Sequence, residues 1–88
     1  MDFIISKHAQ EQMLRRNISY EMVLLTVSKP DQMFIDCEDE RIVICQSIIK
    51  ENEQMFLLRV FVNRDKQPNV VVTLYKTTKI TKYYESKI

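Results

Sequence analysis

The sequence predicts an α+β fold in which an N-terminal helical hairpin packs on a three- to four-stranded antiparallel sheet. Up to Pro30 the apolar residues recur at helical spacing behind two serine caps. Beyond Pro30, β-branched and aromatic residues alternate with polar ones at period two. The length of 88 residues and apolar content of 45% allow one domain with one core, so any site must be a shallow cleft or an open face.

Ser6 is placed to cap a first helix over 7–16, where Ala9, Met13 and either Leu14 or Arg16 form an amphipathic pattern. Asn17 is its natural stop, because asparagine tolerates left-handed backbone. Ser19 caps a second helix in which Tyr20, Val23, Leu24 and Val27 form an i, i+3, i+4, i+7 stripe, ending before Pro30. Strands follow over 41–49, 55–63 and 70–77, with a fourth at 33–36 and a weaker fifth at 2–5. The spacers at 50–53 and 64–68 are of hairpin length, which predicts an antiparallel meander. The segment 79–88 reads as either a terminal helix or a frayed tail.

Strand parity separates two faces. Ile42, Ile44, Ile48, Phe56, Leu58, Val60, Val62, Val70, Val72 and Leu74 are expected to hold the helices. Cys45, Ser47, Leu57, Arg59, Phe61, Val71, Thr73, Tyr75 and Thr77 are expected on a second, mixed face left at least partly open.

Composition narrows the function classes. Glycine is absent, which removes the Walker and dinucleotide phosphate loops. Cys37 and Cys45 stand in no zinc pattern and the lone histidine cannot complete one with them, so free thiols and no metal or cofactor are expected. Unpaired thiols, apolar runs too short for a bilayer and the lack of a signal-like N-terminus predict a cytoplasmic chain without membrane contact. The net charge is only +1, but five acids lie between Asp31 and Glu40, and four lysines follow from Lys76 onward against one glutamate. Local positive charge of that kind suits a phosphate backbone.

Metal-independent RNA cleavage needs a base for the ribose 2′-hydroxyl, cations for the phosphoryl oxygens and an acid for the leaving oxygen. His8 is the candidate for a proton-transfer role, as histidine ordinarily titrates near neutrality. Gln12, Arg15 and Arg16 follow it on neighbouring parts of the same helical surface, and arginine binds oxyanions through a planar fork. Arg59 interrupts the apolar middle of a strand and must be paired or solvent-facing, as a phosphate clamp or in an ion pair with an acid of a neighbouring strand. Thr73, Tyr75 and Thr77 project to the same side, where hydroxyls and a ring can bind phosphate and stack a base. Tyr83 and Tyr84, interleaved with Lys79 and Lys82, extend that basic and aromatic character.

Ser6-Lys7-His8-Ala9, then Met13 and Arg16-Asn17-Ile18, resembles the opening S-x-H-A-x-x-R-M-x-x-R-G-I of a widespread prokaryotic family of small domains of unknown function. Val71-Val72-Thr73-Leu74-Tyr75 resembles that family's closing strand. The family is similar to the BrnT and RelE toxins, in the barnase, EndoU, colicin and RelE group of metal-independent ribonucleases. The resemblance implies a RelE-like helical hairpin on an antiparallel sheet. It also implies a toxin silenced in a hetero-oligomer by a small cognate antitoxin. Carried over by position, it assigns catalytic roles to His8, Arg16 and Tyr75, with Thr73 as the last-strand hydroxyl. Gln12 departs from the pattern where the family has arginine, and Asn17 where it has glycine.

The expected function is therefore RNA cleavage by 2′-hydroxyl attack, with His8, Arg16, Arg59 and Tyr75 as the catalytic set. Arg15, Thr73, Lys76, Thr77 and Tyr84 are the expected RNA contacts. The alternative is a non-catalytic module that binds protein or RNA through its open sheet face, a reading favoured by Gln12 and the modest net charge.

Overall fold

A computed structural model describes residues 2–85 of the chain. Strand β1 (Phe3–Ile5) leads into helices α1 (Lys7–Arg16) and α2 (Tyr20–Ser28). Four strands follow, β2 (Gln32–Asp36), β3 (Asp39–Glu51), β4 (Gln54–Asn63) and β5 (Asn69–Thr77), and then a short helix α3 (Ile80–Tyr83). Among the described residues no helix is long and apolar enough to cross a membrane.

The caps form as the sequence predicts. The Ser6 hydroxyl accepts the Ala9 N–H at 3.1 Å and donates to the Val72 carbonyl at 3.2 Å, so one side chain both starts α1 and ties it to β5. Asn17 takes the left-handed conformation at φ 57°, and Ile18 N–H bonds the Met13 carbonyl at 2.8 Å to close the helix. Ser19 caps α2 through the Met22 N–H.

The sheet order is β1-β5-β4-β3-β2. Strands β2 to β5 form the expected antiparallel meander, but β1 pairs with β5 in parallel, so the sheet has five strands and is mixed. Phe3 and Ile5 gain burial on the core from that position, and Ser6 N–H extends the pairing by bonding the Val71 carbonyl at 3.0 Å. The two N-terminal helices both lie on the sheet, α1 along β5 and α2 across β3 and β4. Ala9, Val23 and Val27 are the residues they bury there.

Two parity expectations also change. On β3 it is Val43, Cys45 and Ile49 that face the helix-side core, whereas Ile44 and Gln46 lie on the second face. Both faces of β3 are apolar, so alternation alone does not fix its register. On β5 an extra residue at Val72 separates Val71, opposite Val62, from Thr73, opposite Phe61. This bulge brings Val71 into the core with Leu74 and moves Val70 to the other side.

The second face is only partly open. Leu57 is fully buried on it, and α3 with the residues after it runs over the sheet there. The tail expected over 79–88 thus forms a docked segment as far as Glu85, and residues 86–88 lie outside the described residues. Cys37 and Cys45 are free thiols, and burial pushes the Cys45 thiol up to about 11.

Ser6→Ala removes a helix cap and the bond to β5 together. It should lower unfolding stability by about 1–2 kcal/mol, measured by urea denaturation. An unchanged midpoint would contradict the double role of Ser6.

Candidate functional site

Arg59 sits in the middle of β4 with 8% of its surface exposed. Among the described residues no carboxylate pairs with it, so the ion pair considered from sequence is not formed. Its Nε donates to Gln46 Oε1 at 2.8 Å and its Nη1 donates to the Tyr75 hydroxyl at 2.8 Å. Nη2 has no partner among the described residues.

Strand register explains these contacts. Gln32, Gln46, Arg59 and Tyr75 stand directly opposite one another on β2, β3, β4 and β5, forming one row across the sheet. Gln46 Nε2 continues the row by donating to Gln32 Oε1 at 2.8 Å. Three rings surround the guanidinium, with Tyr83, Phe61 and Tyr75 centred 4.5, 5.5 and 5.9 Å from its carbon. Each such contact offsets about 0.5–2 kcal/mol of the cost of holding a cation out of water. The rings thereby stabilise the charge, and no carboxylate pairs with it among the described residues.

Tyr83 arrives from the C-terminal segment. Gln46 Nε2 donates to the Tyr83 carbonyl at 3.1 Å, Glu85 N–H donates to Gln32 Oε1 at 3.0 Å, and Gln32 Nε2 donates back to the Glu85 carbonyl. The Lys82 ammonium beside the Tyr83 phenol holds it below its ordinary value, helped by Tyr75 and the Arg59 charge. A cavity of about 540 Å³ lies on this face, lined by Arg59, Phe61, Tyr83, Phe34 and Ile44, with Asp36 and Glu38 also in its wall. It joins a cation, the Tyr83 hydroxyl, two carboxylates and stacking surfaces in one place.

The predicted site residues divide between the two faces of the sheet. Arg59, Thr73, Tyr75 and Thr77 share the second face as expected, but Cys45 faces the helix-side core. Gln46 replaces it as the polar neighbour of Arg59. Thr73 is half-buried opposite Phe61, and Thr77 Oγ1 accepts the Lys79 N–H at 3.1 Å ahead of α3. Tyr84 is half-buried and its N–H closes α3 on the Ile80 carbonyl, leaving Tyr83 as the ring over Arg59.

His8 is exposed on α1, on the helix side of the sheet. With Gln12 and Arg16 it forms a stripe at four-residue spacing, which separates His8 from Arg16 by about 12 Å along the axis. Arg16 reaches a cavity of about 420 Å³ with Lys76, Thr77, Thr78, Gln54 and Phe56. The Lys76 ammonium lies 4.8 Å from the Phe56 ring centre. Arg15 is exposed beside Arg16. The expected catalytic set therefore does not meet: His8 and Arg16 lie across the sheet from Arg59 and Tyr75. Among the described residues no group of three or more His, Cys, Asp and Glu side chains is placed to hold a metal ion.

Sequence reasoning missed Gln46 and chose Tyr84 over Tyr83. An uncharged amide carries no signal of its own, although a buried arginine on a neighbouring strand requires an acceptor opposite it. Tyr75→Phe keeps the ring and removes the acceptor for Arg59 Nη1. It should cost about 1–2 kcal/mol in denaturation, and no loss would contradict the buried bond.

No curated protein and no solved structure matches the chain. The family model that matches does so over residues 5–76, from the end of β1 to Lys76 near the end of β5, and stops short of the segment carrying Tyr83. With most of its length so matched, the chain belongs to the family described as domain of unknown function DUF4258.

Proposed function

We propose that the protein is a metal-independent endoribonuclease whose phosphate site is Arg59 on the second sheet face. The observation that carries this reading is a buried, oriented guanidinium whose Nη2 has no partner among the described residues, with the Tyr83 ring centred 4.5 Å from its carbon. Arginine in such a setting neutralises an RNA phosphate as charge builds on its oxygens. Tyr83, acting as its phenolate, takes the proton of the ribose 2′-hydroxyl as the 2′-oxygen forms a bond to phosphorus. Tyr75, whose oxygen already accepts from Arg59, gives its own proton to the 5′-oxygen as the P–O5′ bond breaks. The products are a 2′,3′-cyclic phosphate and a 5′-hydroxyl, and water returns the proton between tyrosines.

The resemblance of the Ser6 to Ile18 segment to toxin-related domains supports placing this activity in a cytoplasmic toxin–antitoxin pair. A small antitoxin bound over the same face would silence it. A second reading, a non-catalytic RNA-binding module, is favoured by one feature: the segment through Glu85 lies over the row.

Expression of the wild type should fragment cellular RNA, and Arg59→Met should reduce the rate by about 10²- to 10³-fold. Tyr83→Phe should lower it by about 10²-fold. Intact RNA with the wild type would overturn the catalytic reading, and retained single-stranded RNA binding in that case would establish the module. Loss of cleavage in His8→Ala together with full cleavage in Arg59→Met would move the site to the helix side.

A further inference from the structure

We propose that the second sheet face docks an amphipathic helix of a partner protein. That helix places a carboxylate on Arg59, apolar side chains on Phe34, Ile44 and Phe61, and a cation beside Asp36 and Glu38. The inference rests on the proposal that Arg59 takes an anion, and it gives the chemistry of a partner able to silence the site.

Two acids of the stretch around β2 are committed within the fold, Asp31 to the Ile48 N–H at 2.9 Å and Asp39 to Arg41 at 2.8 Å. Asp36 and Glu38 are not. Asp36 gives one oxygen to the Glu38 N–H at 3.0 Å, while its other oxygen and the Glu38 carboxylate have no partner among the described residues. Both line the cavity that Arg59 lines, and Arg59, only 8% exposed, has its Nη2 without a partner among the described residues. An RNA strand would use the cation and be repelled by the acids. A ligand with charges of both signs uses each end of the cavity.

The order of the side chains sets the shape of that ligand. Arg59 stands in the row of Gln32, and Phe34, Ile44 and Phe61 stand opposite one another in the next row. Asp36 lies on β2 four residues beyond Gln32, about 13 Å along the strand. Cation, apolar row and acids therefore follow in sequence along one groove. The Tyr83 ring covers the face of the guanidinium, and a carboxylate bonds it in its plane. The groove lies on a sheet face, where the main chains of β3 and β4 are already paired on both sides, so its occupant must satisfy its own backbone. A helix does so. Its residues i and i+7 are about 11 Å apart along the axis, which glutamate and lysine side chains extend to the span required, and i+3 and i+4 fall on the apolar row.

The probe is a synthetic alanine-based helix carrying Glu at i, Leu at i+3 and i+4, and Lys at i+7, titrated into the isotope-labelled full chain and followed by amide chemical shifts. Two companion peptides carry Gln in place of the Glu, or Glu in place of the Lys. The first peptide should bind and shift the amides of Phe34, Ile44 and Phe61. The Gln peptide and Arg59→Met should each weaken binding by about tenfold or more, with little further loss when combined. Glu38→Lys should weaken the first peptide by about threefold or more and make the peptide with two glutamates the tighter one. The peptide substitutions carry the test even if Arg59→Met does not fold. Equal affinity of the wild type for all three peptides, or shifts confined to another face, would overturn the interface. Absence of binding would overturn it too, while RNA cleavage by the wild type that is lost in Arg59→Met would leave the Arg59 site standing.

Discussion

A guanidinium group has five donors and no acceptor, and burying one in the middle of β4 dictates the orientation of every polar side chain in its row. Gln46 must turn its oxygen toward Arg59, which leaves its nitrogen for Gln32 and for the Tyr83 carbonyl. Tyr75 must accept, so its hydroxyl oxygen is held against the Arg59 Nη1. A lysine in the same place would lack the fork that satisfies Gln46 and Tyr75 together. A carboxylate partner would cancel the charge that the row keeps available.

The two faces of the sheet consequently serve different ends. The helix side is an apolar core, closed by Ala9, Val23 and Val27 against Leu58, Val60 and Leu74. The second side combines a buried cation with Leu57, Ile44 and a layer of rings, and the C-terminal segment completes it by main-chain hydrogen bonds to two glutamines. The cover is held both by these main-chain bonds and by the Tyr83 ring over Arg59. The family match ends at Lys76, so the cover lies beyond the segment that defines the family.

Much of the architecture is legible in the sequence because it is local. Ser6, Asn17 and Ser19 mark helix ends, and the alternating strands appear within a few residues of their observed limits. What the sequence hides is nonlocal. The three residues of β1 carry no signal for a parallel partner, the run Ile42 to Cys45 is apolar on both faces, and the bulge at Val72 shifts parity without a glycine to announce it. The site suffers most from this. Arg59 and Tyr75 are correctly placed together, but Gln46 becomes visible only once the β3 register is fixed, and the choice between Tyr83 and Tyr84 depends on where a short basic tail docks. His8, the most conspicuous residue in the sequence, stands across the sheet from Arg59.

The dependence of the row on Arg59 is tested most directly by a double-mutant cycle of Arg59→Met and Gln46→Leu, read as unfolding free energy. Gln46→Leu alone leaves a buried Nε–H without an acceptor and should cost about 1–3 kcal/mol. In the Arg59→Met background the same change should cost less, since only the bonds to Gln32 and the Tyr83 carbonyl are then lost, giving a coupling of at least about 1 kcal/mol. Additive effects of the two substitutions would contradict the claim that the buried guanidinium organises its row.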